Sequence, residues 1–355
     1  MNPREELRRA VEWSMKLATL ERRDPVTGRP DPDGRLVVVS PDHRWGLEVP
    51  GVPSMRDAMD RWDKVLPLLE HAARQLSAGE TAGACDLATA TFMAPLPRTW
   101  SWLDGSAFIQ HVLLVRKARG AEPPEDLRTV PLMYQGASDN LLGPRADLPL
   151  RHLGDGMDFE AEVAVVLGPV AMGTPASDAG GAVRLIMLMN DVSLRNLIPR
   201  ELAAGFGFFH GKPASSFAPF AVTPDEAGEA WREGRLHLPM RSWLNGVPYG
   251  HPDAGEMFFS FPELIAHAAA TRDLSAGTIL GSGTVSNADE SVGSSCLAEQ
   301  RMLEKIATGT MVTPFMKDGD RIELDILLDD GRSLCGRIDQ VVVPAACRNV
   351  SGAAG

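Results

Sequence analysis

Apolar and polar positions follow two different rhythms along this chain, and the change of rhythm divides it. Residues 54–77, SMRDAMDRWDKVLPLLEHAARQLS, carry apolar positions at helical spacing, with Ser54 placed to cap the first turn. Pro67 is expected to kink or divide that helix. Before it, Met15 to Leu20 and RLVVVS (35–40) read as strands around the turn-rich DPVTGRPDPDG (24–34). Residues 3–15 read as a short charged helix, which makes 1–14 a helical extension. The proline-punctuated MAPLPRTW (93–100) reads as a linker. The boundary is placed there, with a smaller N-terminal α+β domain over 1–95 and a second domain over 96–355. After residue 100, short β-rich runs are joined by Gly, Pro and Asp turns. They are HVLLVRK (111–117), AEVAVVLG (161–168), AVRLIMLMND (182–191), LHLPMRSWLNG (236–246), GTILGSGTV (277–285), DRIELDILLDDG (320–331) and RIDQVVV (337–343). FPELIAHAAATR (261–272) reads as a helix. The pattern predicts an α+β, mostly β fold in which strands distant in sequence meet, so a site assembled from several segments is expected.

One run breaks the apolar rhythm. In DFEAEVAVVLG (158–168), Asp158, Glu160 and Glu162 are spaced by two and share one face of a strand. Two readings fit: a solvated edge strand, or a hard divalent cation that turns acid repulsion into attraction. Asp191 bears on the choice, because it follows the apolar LIMLM, and a carboxylate there is costly unless paired or bound to a cation. Two further segments are dense in chemical groups: LDGSAFIQH, with Asp104 and His111 seven apart, and HGKPASSFAP, with Lys212.

Composition narrows the partners. The chain has 355 residues and a net charge of −12 with acids and bases interspersed, which argues against nucleic acid or an anionic membrane as partner. The same field disfavours acidic substrates unless a cation or local basic groups receive them. Cys85, Cys296, Cys335 and Cys347 form no CxxC or zinc-type spacing and read as scattered buried thiols, which suits a cytoplasmic protein. The N-terminus lacks an apolar signal core, and no run of about 18 apolar residues exists to span a membrane. GFGFFHG (205–211) is similar to a glycine-rich phosphate loop, but its GxGxxxG spacing and lack of a βαβ unit set it aside; GSGT (281–284) lacks the lysine of a P-loop. No GxSxG elbow or HExxH signature occurs.

Taken together and in order, D-x₆-H at 104–111, YQG at 134–136, DFEAEV at 158–163, MNDVSLR at 189–195, GKP at 211–213, SGTVSN at 282–287 and MLE at 302–304 resemble the fumarylacetoacetate hydrolase family over residues 100–345. Residues 15–95 resemble the N-terminal domain of its bacterial members. The resemblance implies a mixed β-sandwich roll for the catalytic domain, a homodimer, and one divalent cation per site: Mg²⁺ first, with Mn²⁺ or Ca²⁺ equally suited to carboxylates. Matched by motif, the metal ligands are Asp104, Glu160, Glu162 and Asp191, with Asp158 left as a supporting or turn residue. The resemblance makes His111 the general base and Glu304 its partner carboxylate, with Glu299 as competitor. It makes Arg195 and Lys212 oxyanion or carboxylate binders and Tyr134 and Thr284 substrate contacts. One position departs from the pattern: Ile198 stands where the hydrolase has Gln, so that hydrogen-bond donor is missing or supplied elsewhere, with His210 a candidate.

The activity implied is metal-dependent hydrolysis of a C–C bond in a small β-diketo acid of fumarylacetoacetate or acylpyruvate type, as in the catabolism of aromatic compounds. A 2-oxo acid decarboxylase of oxaloacetate type, a hydratase or isomerase on the same metal site, and a non-catalytic member are the alternatives. The His–Glu pair favours the hydrolase, because a decarboxylase needs no water-activating base.

Overall fold

The computed structural model describes residues 14–24, 26–118, 122–123 and 125–345. Cys347 and nearly all of the expected helix at 3–15 lie outside them. The strand signals after residue 100 form two mixed sheets. The larger runs in the order Cys85–Asp86, Trp45–Leu47, Arg35–Val39, Lys16–Leu20, Phe220–Val222, Val183–Asn190, Ala161–Leu167, Ile279–Gly281, Trp102–Gly105, Met133–Gln135. Ser216–Phe217 also pairs with Val183–Asn190. A five-stranded sheet runs Val247–Gly250, Met240–Leu244, Arg321–Ile326, Ile338–Pro344, Leu148–Leu150. The chain is thus an α+β protein with mixed sheets, and strands from before and after residue 100 share one sheet through the antiparallel pair Lys16–Leu20 and Phe220–Val222.

Ala161–Leu167 lies centrally, between Val183–Asn190 and Ile279–Gly281. Its residues divide by parity, as strand geometry requires. Val163, Val165 and Leu167 enter a core that includes Ile322, Leu324 and Ile326 of the five-stranded sheet. Ala164 and Val166 enter a second core with Met55, Met59, Val65 and Leu69 of the helical segment. Covered on both faces, the strand needs no polar alternation, and every residue in it is buried. This removes the solvated-edge reading of the acidic run.

Two local expectations change. The helical stretch divides at Arg61 rather than Pro67, into Met55–Asp60 and Trp62–Ser77, with Pro67 inside the second helix. Ser54 caps the first helix, accepting from the Asp57 N–H at 3.2 Å. HVLLVRK, expected as a strand, lies in the helix Ile109–Ala118. A short apolar run carries no decisive period, and here packing against the helix Leu297–Thr308 settles it. Cys296 and Cys335 are buried and Cys85 half-buried, all as free thiols. Among the described residues, no helix is long and apolar enough to cross a membrane.

Candidate active site

Three acids end apolar rows on one face of the large sheet. Glu162 continues the row of Ala164 and Val166, Asp191 that of Met187 and Met189, and Asp104 that of Trp102. The register pairs Ala161 with Asn190, and the Asp191 N–H then donates to the Glu160 carbonyl at 2.9 Å. Asp104 stands opposite Tyr134 on one neighbouring strand and Gly281 on the other. The result is that one oxygen each of Asp104, Glu162 and Asp191 lies within 4.8 Å of the others, with all three residues buried. Glycine is required alongside: a Cβ on Gly281 would sit 2.5 Å from Asp104 Oδ1. Gly283, at φ +78°, turns its N–H onto the same oxygen at 3.0 Å. The GSGT stretch is a cradle for a carboxylate.

Burial and the facing Asp104 and Asp191 push the Glu162 carboxyl well above the ordinary range. Burial and Asp191 push Asp104 up to about 8. Both Glu162 oxygens are buried without a hydrogen-bond partner. Like charges so placed are costly until a cation joins them, and an oxygen-only donor set suits a hard divalent ion. Asp104, Glu162 and Asp191 can therefore hold one.

Glu160, expected as a fourth ligand, faces cations instead. Its Oε1 accepts from Lys212 Nζ at 2.7 Å and Ser193 Oγ at 2.5 Å, and lies 3.2 Å from Arg195 Nη2. Its Oε2 accepts from the Thr284 hydroxyl. Burial acts to raise the Glu160 pKa, but Arg195 and Lys212 outweigh it and hold the group ionised below the usual range. Lys212 also reaches Asp191 Oδ2 at 2.5 Å, so one ammonium joins Glu160 to the three-acid cluster. Tyr134 donates to the same Asp191 oxygen at 2.6 Å, and Ser215 Oγ to the other at 2.8 Å. Asp158 is no ligand. It accepts from the N–H groups of Leu297 and Ala298 at 2.7 and 2.9 Å and from Arg195 Nε at 2.8 Å, anchoring a helix N-terminus.

His111 faces this group from the helix Ile109–Ala118. Burial lowers its pKa to about 4, so the imidazole is neutral at ordinary pH, and its Nδ1 is buried without a partner. The acid beside it is Glu299, not Glu304. Glu299 lies in the first turn of Leu297–Thr308 and within 4.8 Å of His111 by ligating atoms, with Cys296 in the same group. Burial raises the Glu299 carboxyl to about 7, and Ser286 Oγ holds its Oε1 at 2.5 Å. Glu304 is placed more than one helical turn further on. Its carboxylate is spent on the Val312 and Thr313 N–H groups, at 2.7 and 2.9 Å, and on the Thr313 hydroxyl.

A cavity of about 360 Å³ is bordered by Asp104 of the acid cluster and by His111. Tyr134, Glu160, Lys212, Thr284 and Arg195 line it as well. Ile198, Leu202, Phe108 and Phe208 make the wall apolar, and Arg116 and Ser106 add polar groups. His210 is not on it: its side chain is 74% exposed, so the proposed substitute donor points away. Arg116 and Phe208 went unnoticed in the sequence. Phe208 belongs to the GFGFFHG run and packs edge-on to Tyr134 with ring centroids 5.0 Å apart.

Comparison with known proteins identifies the family of the chain. The sequence profile of the fumarylacetoacetate hydrolase C-terminal domain matches residues 101–343, and that of fumarylacetoacetase N-terminal domain 2 matches residues 15–98. The chain is 26% identical over 242 residues to a 2,4-didehydro-3-deoxy-L-rhamnonate hydrolase from a Sphingomonas species, covering 67% of this chain and 80% of that one. It is 24% identical over 244 residues to a human mitochondrial oxaloacetate tautomerase, covering 64% and 72%. A fumarylacetoacetate hydrolase structure from Exiguobacterium antarcticum superposes with a TM-score of 0.64 at 18% identity, covering 93% of this chain and 100% of that one. With the profile match spanning well over half its length, the chain belongs to the fumarylacetoacetate hydrolase family.

Proposed function

We propose that the protein is a divalent-cation-dependent enzyme that hydrolyses a C–C bond in a small β-diketo acid of acylpyruvate or fumarylacetoacetate type. The observation that carries this reading is one cavity bordered both by Asp104 of a three-acid cation site and by a neutral His111 with Glu299 beside it. Asp104, Glu162 and Asp191 would hold the cation, which would supply Lewis-acid polarisation of a substrate carbonyl; Mg²⁺ is the first candidate, and Mn²⁺ or Ca²⁺ suits the same oxygens.

The chain's own groups then have defined work. His111 accepts a proton from water, and Glu299 beside it stabilises the imidazolium that forms. Lys212 and Arg195 receive the substrate's carboxylate and developing oxyanion. Arg195 Nη2 makes no aligned hydrogen bond to Glu160 despite the 3.2 Å approach, and Arg195 itself borders the cavity. These two cations offset the −12 background locally. Thr284 and Tyr134 hold Glu160 and Asp191 in place and border the substrate volume.

A second reading has its own observation. Ile198 lines the cavity with a side chain that cannot donate to an oxyanion. A tautomerase or isomerase of 2-oxo acids of the oxaloacetate class needs proton transfer by His111 but no tetrahedral oxyanion. Loss of the diketone absorbance of an acylpyruvate, dependent on added Mg²⁺ or Mn²⁺ and absent in His111→Ala, supports hydrolysis. Stable diketone with rapid keto–enol conversion of oxaloacetate selects the second reading.

A further inference from the structure

The helices Ile109–Ala118 and Leu297–Thr308, the second with its cap Cys296, carry another set of ligating atoms, separate from the three acids. His111, Cys296 and Glu299 each bring a nitrogen, sulfur or oxygen atom within 4.8 Å of the other two. Glu299 is 3% exposed; its Oε1 is fixed by Ser286 while its Oε2 has no partner. His111 Nδ1 is also buried and unpartnered. Two of the three residues grouped around the buried thiol thus carry a buried polar atom without a partner.

We propose that His111, Cys296 and Glu299 form a binding site for a borderline-soft transition-metal ion of the zinc type, distinct from the hard-cation site across the cavity. Donor chemistry separates the two. Asp104, Glu162 and Asp191 offer only oxygen, the set of Mg²⁺ or Mn²⁺, whereas one imidazole, one thiolate and one carboxylate is a zinc set. Charge closes as well: a dication with thiolate, carboxylate and neutral imidazole sums to zero, which answers the cost of burial. Three protein ligands leave a fourth position for water, and His111 opens onto the cavity that supplies it. On binding, the Cys296 S–H bond breaks heterolytically. The sulfur lone pair goes to the metal and the proton to solvent, with no change of oxidation state. Ligands of one tetrahedral zinc stand roughly 3.3–3.8 Å apart, so closure from the present spacing takes side-chain rotations of about 1 Å.

A cysteine nucleophile is the rival use of these residues. Cys296 is fully buried, does not line the cavity, and its sulfur accepts the Glu299 N–H at 3.4 Å as the helix cap. That position suits a ligand and not a group that must reach substrate. Metal bound here occupies the His111 imidazole and stops turnover, a consequence that rests on the proposed function, whereas the binding does not.

The test uses Co²⁺ as probe on the full chain, kept in excess Mg²⁺ to fill the oxygen site. The expected result is a thiolate-to-cobalt charge-transfer band that saturates at about one equivalent, is displaced by Zn²⁺, and persists in Cys85→Ser. Cys296→Ser, which keeps a capping side chain, removes the band. Glu299→Gln weakens binding by at least the roughly tenfold to 100-fold that loss of a supporting contact costs. No band in the unsubstituted protein, or a band that survives Cys296→Ser, overturns the site. If the band forms while turnover continues, the site stands and the assignment of His111 as base fails.

Discussion

The two halves of the site, one meeting the cavity at Asp104 and the other at His111, are built on opposite principles. One is a strand wall, where backbone register in the middle of a sheet fixes three carboxylates in mutual repulsion, with Glu162 left wholly unpartnered. The other is a helix wall, where two packed helices bring a neutral histidine to a carboxyl that burial raises to about 7. The strand wall stores the mutual repulsion of like charges, which a cation relieves. The helix wall holds no such set of facing acids and instead carries groups able to move a proton. A site that must both receive a dication and abstract a proton gains from keeping the two apart, since a base among three acids would be pulled towards its charged form.

The contrast can be broken most severely on the strand wall. Glu162→Gln abolishes cation-stimulated turnover, while the metal-free protein gains stability, by about 1–3 kcal/mol, because the amide can satisfy a buried polar position that the carboxyl leaves unpartnered. Thermal unfolding with and without Mg²⁺ reads both, and an unchanged metal-induced shift in melting temperature defeats the cation assignment. On the helix wall, His111→Ala lowers kcat by about 10²–10⁴ with cation affinity retained, as expected for a general base. Glu299→Gln moves in the same direction, and Glu304→Gln leaves kcat unchanged. Between the walls, Lys212→Met lowers kcat by about 10²–10³ if it stabilises an oxyanion. Unaltered turnover in that variant removes the role.

Titration sharpens the difference further. Asp104 in the folded protein titrates near 8, above its ordinary 3.8, so between these values the fold holds a proton that the unfolded chain has lost. The contribution is full at the acid end and disappears as pH rises through about 8. Metal-free protein should therefore lose stability relative to Asp104→Asn across that window, and saturating cation should cancel the trend. Equal pH slopes for the two proteins contradict it. The smallest effect belongs to Ile198→Gln, which restores a donor to the cavity wall. One hydrogen bond is worth about 0.5–1.5 kcal/mol, so hydrolysis rises by roughly twofold to tenfold relative to keto–enol conversion.

How far the sequence foretold each wall follows from the same physics. The strand wall was legible because period two is rigid: acids spaced by two, and an acid ending an apolar run, betray a buried charged face. What spacing could not show was that Glu160 turns to Lys212 and Arg195 while Glu162 turns to the acids, since that choice depends on where the 212 and 195 segments cross in space. The helix wall was read less well. HVLLVRK has no decisive period, so His111 was placed on a strand, and only the packing of Ile109–Ala118 on Leu297–Thr308 selects Glu299 over Glu304. Cys296 carried no motif and emerged only from that packing.

The central claim, a cation wall and a proton-moving wall serving one cavity, is tested most directly by following acylpyruvate absorbance with and without Mg²⁺ in the unsubstituted protein, His111→Ala, Glu299→Gln and Glu304→Gln. The account predicts Mg²⁺-dependent loss of absorbance that collapses in the first two variants and persists in Glu304→Gln. Loss that ignores Mg²⁺, or that fails in Glu304→Gln while surviving Glu299→Gln, contradicts it.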